Sequence, residues 1–194
     1  MTQPALIETE RLILRPWTTS EADRSYFHYL NSDDAVMRYF PFRRERRQSD
    51  ETLQKIITAT TADGLGWLAT CLKGTGKPIG FAGLSKVSFS ARFTPATEIG
   101  WRLGQAHWRK GFATEAAKAL LSHGFVKLEL GEIVSFAVHD NHPSTAVMKR
   151  IGMTADPAFD FDHPDIGDAY PRLKRHVFYR LSRERWLQRQ GAVR

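Results

Sequence analysis

From Leu6 to Trp17 (LIETERLILRPW) apolar and polar residues alternate until a proline interrupts, the period-two pattern of a strand with one buried face. The spacing changes over Thr18 to Asn31 (TTSEADRSYFHYLN), where Ser20 stands three residues before Asp23 and Tyr26, Phe27 and Leu30 share one helical face. This predicts a capped amphipathic helix. A second helix is expected over Gln48 to Ala62. Gly66 to Lys73 and Lys77 to Phe89 read as strands joined by Gly74-Thr75-Gly76, a glycine cluster that predicts a hairpin turn rather than a phosphate loop, because no helix follows it. Further along come a strand at Thr97 to Leu103 (TEIGWRL), a helix at Thr114 to Lys127, a buried strand at Glu132 to Val138, a short helix at His142 to Ile151 and a last strand at Arg172 to Leu181. The acidic, proline-containing Asp156 to Asp168 reads as an ordered loop or bent strand. Strands and helices mix without strict alternation, so the pattern predicts an α+β fold, a central sheet with helices on its faces.

Composition narrows this picture. With 194 residues and 42% hydrophobic content the chain fills one sizeable core, and a single domain over 1–194 is expected. No leader precedes it and no apolar run approaches the roughly 20 residues that span a bilayer, so the expectation is a soluble, cytoplasmic protein without membrane contact. The single cysteine, Cys71, lies in the apolar run WLATCLK and reads as a core residue. Lys and Arg outnumber Asp and Glu by 28 to 21, which favours an anionic ligand or partner. No metal-ligating cluster is present in the pattern, and no metal is expected.

The stretch QAHWRKGFATEAAKALLSHGFV, from Gln105 to Val126, places candidate chemistry ahead of a periodic helix. Between Trp108 and Thr114 the backbone must turn and present the free N–H groups of a first helical turn, which with the helix dipole suit an anion. Gly111 would let a ligand approach its backbone, Arg109 and Lys110 add full charges, and Thr114 offers a hydroxyl. The spacings of a Walker loop and of a Rossmann fingerprint are both absent. Taken alone, the segment also fits a plain helix entry with solvated basic residues.

In the order EIGWRLGQAHWRKGFATEA, then a strand, then Asn141-His-Pro-Ser-Thr-Ala-Val-Met-Lys-Arg-Ile-Gly-Met153, the chain resembles the GNAT superfamily of acetyl-coenzyme A-dependent N-acetyltransferases. Glu8-Thr-Glu-Arg-Leu-Ile-Leu-Arg-Pro near the start and His176-Val-Phe-Tyr-Arg-Leu near the end are similar to its RimJ/RimL-type branch. The resemblance implies a GNAT-like, mostly antiparallel mixed sheet flanked by helices on both faces, with a splayed cofactor cleft. It implies acetyl-CoA as cosubstrate, its pyrophosphate held by the loop Trp108, Arg109, Lys110, Gly111, Phe112, Ala113 and Thr114. Gly111 and Ala113 match the family's loop pattern, whereas Trp108 departs from its first position. The same resemblance sets Ile99, Trp101 and Leu103 along the pantetheine arm, with the Leu103 N–H as donor to the acetyl oxygen, and Asn141 against the cofactor. Asn141 also fits an ordinary turn before a helix.

Acetyl transfer to an amine adds its own demands. An alkyl ammonium, with a pKa near ~10, must lose its proton before nitrogen attacks a thioester. Glu98 is the leading candidate base, and Asp160, Asp162 and His163 form a competing cluster; His176 is a weaker candidate. The family's usual leaving-group tyrosine falls on Met148, which cannot donate a proton, while Ser144, one helical turn earlier, can hydrogen-bond a departing thiolate. Capping the helix is the other role open to Ser144. The expected partners are acetyl-CoA and a primary amine, a protein N-terminus or a small amine, with the chain a monomer or homodimer. A basic RNA- or ribosome-binding module stands as the alternative, on Arg43 to Arg47 and the tail Arg183 to Arg194, although aromatic stacking motifs are missing and no specific nucleic acid is expected. A CoA-binding relative without catalysis is the second alternative.

Overall fold

The alternation that predicts one strand from Leu6 to Trp17 conceals a turn. In the computed structural model of the chain, which describes residues 6–62 and 64–191, β1 (Ile7–Glu8) and β2 (Leu12–Arg15) form an antiparallel hairpin with Ile7 opposite Leu14. Thr9 makes the turn. Its hydroxyl oxygen accepts from the Leu12 N–H at 2.9 Å, and its own N–H donates to the Leu12 carbonyl at 3.0 Å. Period-two alternation runs on through so short a connection, so the pattern reads as one strand.

The chain divides into two compact units, Met1–Ser85 with Gly100–Leu120 and Lys86–Ile99 with Leu121–Arg194. In the first, β2 pairs antiparallel with β3 (Gly66–Leu72), and β3 with β4 (Pro78–Lys86). Gly74-Thr75-Gly76 is the predicted hairpin turn, closed by the Gly76 N–H on the Leu72 carbonyl at 2.7 Å. Helix α1 (Glu21–Ser32) starts where its cap predicts, the Ser20 hydroxyl accepting from the Asp23 N–H. Helix α2 (Arg46–Ala59) starts two residues ahead of the expected Gln48, because Glu45 and Gln48 form a capping box. Trp17, Phe27, Leu30, Leu53, Cys71 and Phe81 pack together as the core. Cys71 is 1% exposed, and burial pushes its thiol pKa up, so it is a packed thiol.

Strand β5 (Thr97–Leu103) and helix α3 (Phe112–Val126) each run from one unit into the other along the chain. In the second unit β5 meets β6 (Glu132–Val138) in parallel at one ladder position, Glu98 opposite Val134. β6 pairs antiparallel with β9 (Arg175–Ser182) over seven positions, and two short strands, β7 (Thr154–Ala155) and β8 (Phe161–Asp162), also pair with β9. With α4 (His142–Arg150) this is the expected mixed, mostly antiparallel α+β fold. The expected strand from Arg172 begins later, because Pro171, whose fixed φ suits a first helical position, opens the helical turn α5 (Pro171–Lys174). The basic tail holds a helix that the pattern did not predict, α6 (Arg183–Gly191). It is held by Trp186, 5.4 Å from the Phe125 ring, and by Arg189, which donates to the Gly152 carbonyl at 3.0 Å. The last three residues of that tail lie outside the described residues.

In the first unit Asp23 is 1% exposed and takes both Arg15 guanidinium nitrogens, at 2.7 and 2.8 Å, with the Thr18 N–H and hydroxyl. Burial alone would raise its pKa, but these hydrogen bonds outweigh it and hold the carboxyl below its usual value. A depressed carboxylate stabilises the fold at pH above its unfolded pKa and loses that contribution as pH falls through the folded one. Asp23→Ala should therefore cost about 3–5 kcal/mol near neutral pH, leaving Arg15 without its partner. Urea unfolding of both proteins at neutral pH and near ~pH 3 checks this: the gap should narrow at the acid end.

Candidate functional site

Beyond β5 in the first unit, the Gly104 N–H donates to the Ile79 carbonyl at 2.9 Å, and a 3-10 turn at Gln105–His107 leads to a sharp bend. Arg109 has φ 60° and Gly111 φ 83°, both left-handed. For the non-glycine Arg109 this costs about 1–2 kcal/mol, strain held at the mouth of a helix. The first hydrogen bond of α3 runs from the Glu115 N–H to the Gly111 carbonyl at 3.0 Å, so the N–H groups of Phe112, Ala113 and Thr114 have no earlier carbonyl in the helix to meet. Arg109 and Lys110 are exposed beside them. A Cβ on Gly111 would meet only the Arg11 guanidinium, at 3.3 Å. Free helical N–H groups, left-handed backbone and a glycine whose near neighbour is a guanidinium suit a diphosphate.

Trp108 does not face this anion site with a polar group. Its indole N–H donates to the Leu103 carbonyl at 2.7 Å, pinning the end of β5 to the bend. Leu103 is buried and Trp101 half-buried. Two residues of this site were not singled out from the sequence, Arg11 and Glu115. Arg11 pairs with Glu115 at 2.6 Å, donates to the Lys110 carbonyl at 3.1 Å and lies 4.6 Å over the Phe112 ring. Glu115 also accepts from the Thr9 hydroxyl at 2.6 Å and the Arg11 N–H at 2.9 Å. Partial burial pushes the Glu115 carboxyl up, yet these donors hold it below its ordinary value. The β1–β2 turn is thus tied to the first turn of α3. Contacts 104 residues apart leave no local mark in a sequence.

A third residue, Arg102, was also passed over. Its guanidinium carbon lies 4.1 Å over Phe40 and 5.1 Å over Phe81, and it donates to the Asn31 amide oxygen at 2.9 Å. An arginine in an alternating strand ordinarily reads as a solvated position.

In the second unit Glu98 is half-buried, and among the described residues no cation or hydrogen-bond donor meets its carboxylate. Burial alone pushes its pKa up to about 7. Next to it, Ile99 is buried and its carbonyl accepts from the Ser135 hydroxyl at 2.9 Å. Asn141 caps α4, its side-chain oxygen accepting from the Ser144 N–H at 3.3 Å. The capping role left open for Ser144 therefore belongs to Asn141, and the Ser144 hydroxyl meets no protein partner among the described residues. Met148 is buried on the same helix.

The competing acid/base cluster is drawn into structure. Asp160 accepts from the Phe178 N–H at 2.9 Å, and Asp162 pairs with Arg175 at 3.5 Å. His163 lies 4.6 Å from the Phe89 ring, and burial lowers its pKa. His176 donates from Nδ1 to the Lys174 carbonyl, and burial lowers it to about 4, so it is neutral at neutral pH. A cavity of about 240 Å³ opens beside these residues, lined by Arg92, Phe93, Phe159, Asp160 and Phe161.

Three of the arginines behind the nucleic-acid alternative are engaged. Arg43 donates to the Met37, Phe40 and Phe42 carbonyls, Arg46 pairs with Glu21 and Asp50, and Arg47 with Glu51. Among the described residues no three metal-ligating side chains cluster, and no helix is long and apolar enough to cross a membrane.

The sequence pattern of the acetyltransferase (GNAT) domain matches residues 11–154. The uncharacterized N-acetyltransferase YnaD of Bacillus subtilis is 28% identical over 181 residues, covering 93% of this chain and 98% of its own length. An FsC-acetyl coenzyme A-N(2)-transacetylase from Aspergillus fumigatus is 30% identical over 199 residues, 97% of this chain and 80% of its own. A GNAT-family acetyltransferase structure from Bacillus anthracis superposes with a TM-score of 0.74 at 25% identity, over 92% of this chain and 98% of that one. A domain match that runs through both units, joined to a fold of this kind, means that the chain belongs to the GNAT family of acetyltransferases.

Proposed function

We propose that this single acetyltransferase domain moves the acetyl group of acetyl-CoA to a primary amine by direct attack, as a member of the RimJ/RimL-like branch. The observation that carries the reading is Glu98, a carboxylate without a partner whose pKa of about 7 lets it accept a proton near neutral pH. The Trp108–Thr114 loop fits a pyrophosphate, with the N–H groups of Phe112, Ala113 and Thr114 as donors and Arg109 and Lys110 as flanking charges. Ile99, Trp101 and Leu103 lie along the pantetheine in this reading, and the Asn141 amide nitrogen, unused in the cap, is free to donate to it. Acetyl-CoA supplies an activated carbonyl and a thiolate leaving group. Glu98 takes the ammonium proton, the Leu103 N–H steadies the oxygen on which negative charge grows, and Ser144 donates a hydrogen bond to the departing sulfur. An acyl-enzyme on Cys71 has no support, because that thiol is packed in the core.

Acetyl-CoA should raise the melting temperature of the wild type, and Gly111→Glu should remove that rise when each protein is compared with its own ligand-free baseline. A retained rise would move the phosphate site elsewhere.

For Glu98→Gln, the wild-type increase of kcat/KM through about pH 7 should flatten. The same variant carries a stability signature. A carboxyl whose folded pKa lies above its unfolded value burdens the fold increasingly from about pH 4.5 upward and fully above about pH 7. Glu98→Gln should therefore melt higher than wild type near ~pH 8 and equally near ~pH 4. An unchanged pH profile together with this melting pattern would transfer the base to His163.

Ser144→Ala should lower turnover about 10- to 100-fold at every pH and leave the melting temperature nearly unchanged, since the helix cap is Asn141.

A further inference from the structure

Arg102 is the one cation of the first unit's β5 segment, and its surroundings are built rather than incidental. The guanidinium carbon lies over two rings, Phe40 at 4.1 Å and Phe81 at 5.1 Å. One N–H is fixed on the side-chain oxygen of Asn31, itself 3% exposed and held in turn by its amide donating to the Phe27 carbonyl at 2.7 Å. Asn31 also ties down the neighbouring segment, its backbone carbonyl accepting from the Arg44 N–H at 2.9 Å. No carboxylate pairs with Arg102 or with Arg44 among the described residues. Arg44 stacks on Phe42 at 4.4 Å. Burial, with the Arg44 charge added, pulls the Arg102 pKa down to about 9, which still leaves it charged at neutral pH. The residue is half-buried, and Asn31 is the one hydrogen-bond acceptor that meets its guanidinium among the described residues.

A guanidinium with aromatic rings against its face and one nitrogen fixed on an amide oxygen has its remaining in-plane N–H groups to offer. Those groups are the complement of a planar carboxylate, which they meet through two parallel hydrogen bonds. We infer that Arg102, framed by Phe40 and Asn31, is a carboxylate-binding residue that selects acceptor amines also carrying a carboxyl group. The inference rests on the proposed acetyl transfer and narrows its acceptor to amino acids and similar amino-carboxylates. The net charge of +7 repels a plain cationic amine at long range and does not repel a zwitterionic amino-carboxylate, whose net charge is zero.

Two measurements test this. The first compares matched acceptors, an ω-amino carboxylate and its amide of equal length, by kcat/KM. Wild type should prefer the acid by about 10- to 100-fold, and in Arg102→Gln the ratio should fall to within about threefold of one. Arg102→Lys, which keeps charge but loses the fork, should give an intermediate ratio. The second needs neither a variant nor turnover. Glutarate, a dicarboxylate that cannot be acetylated, is titrated into 15N-labelled wild type at constant ionic strength, and the arginine Nε–H signals are followed. The Arg102 signal should shift saturably while that of Arg43, embedded in backbone carbonyls, stays in place. Equal kcat/KM for acid and amide, or an Arg102 signal that glutarate does not move, would overturn the inference. If no amine is acetylated while glutarate still moves Arg102, the acetyl-transfer reading fails and the carboxylate site stands.

Discussion

Charge taken from water without an opposing charge is what sets β5 apart. Elsewhere the protein pairs the ionised groups it shelters: Asp23 with Arg15, Glu115 with Arg11, and Glu132 and Asp156 with Arg180. Glu98 and Arg102 have no such partner, and burial moves each pKa toward the neutral form. A sheet built for stability alone would place valine or threonine at such positions, since an unpaired half-buried charge weakens the fold. Two sheltered, unpaired charges on one strand are the kind of broken local rule that marks where function competes with packing.

The loop that leads into α3 depends on the same economy of charge. Arg109 holds a left-handed φ that a free peptide would abandon, and the bend survives because its ends are fixed. Trp108 fastens one end to the Leu103 carbonyl, and Arg11 fastens the other through the Lys110 carbonyl and Glu115. The family pattern treats the Trp108 position as a changed phosphate contact, but here the indole serves the backbone. Its departure from that pattern therefore leaves the helix N–H groups untouched.

Much of this was legible from residue order. The helix entry at Gly111, the hairpin at Gly74 to Gly76 and the cap at Ser20 each rest on chemistry confined to a few neighbouring residues, which a pattern captures. What escaped depends on distance or on a single anchor. Helix α6 is polar nearly throughout and is held by Trp186 on Phe125 and Arg189 on Gly152, partners that lie far from it in the chain. The Thr9 turn keeps the alternation of a strand. Arg11 with Glu115, and Arg102 with Asn31, meet across 104 and 71 residues. Glu98 was legible as a residue, but its burial, which raises its pKa, is a property of the folded chain.

An energetic difficulty remains in moving a proton from an alkyl ammonium, pKa near ~10, to a carboxylate near 7, a step uphill by about 4 kcal/mol. A carboxylate on the acceptor holds the nearby ammonium more firmly than a neutral amide in its place would. Held by Arg102, that carboxylate is neutralised by the guanidinium, and the ammonium loses its internal counter-charge. Its pKa then falls toward that of Glu98, and the proton moves with a smaller penalty. On this account Arg102 does more than choose the acceptor: the contact that recognises the acid also lowers the basicity of the amine that must attack.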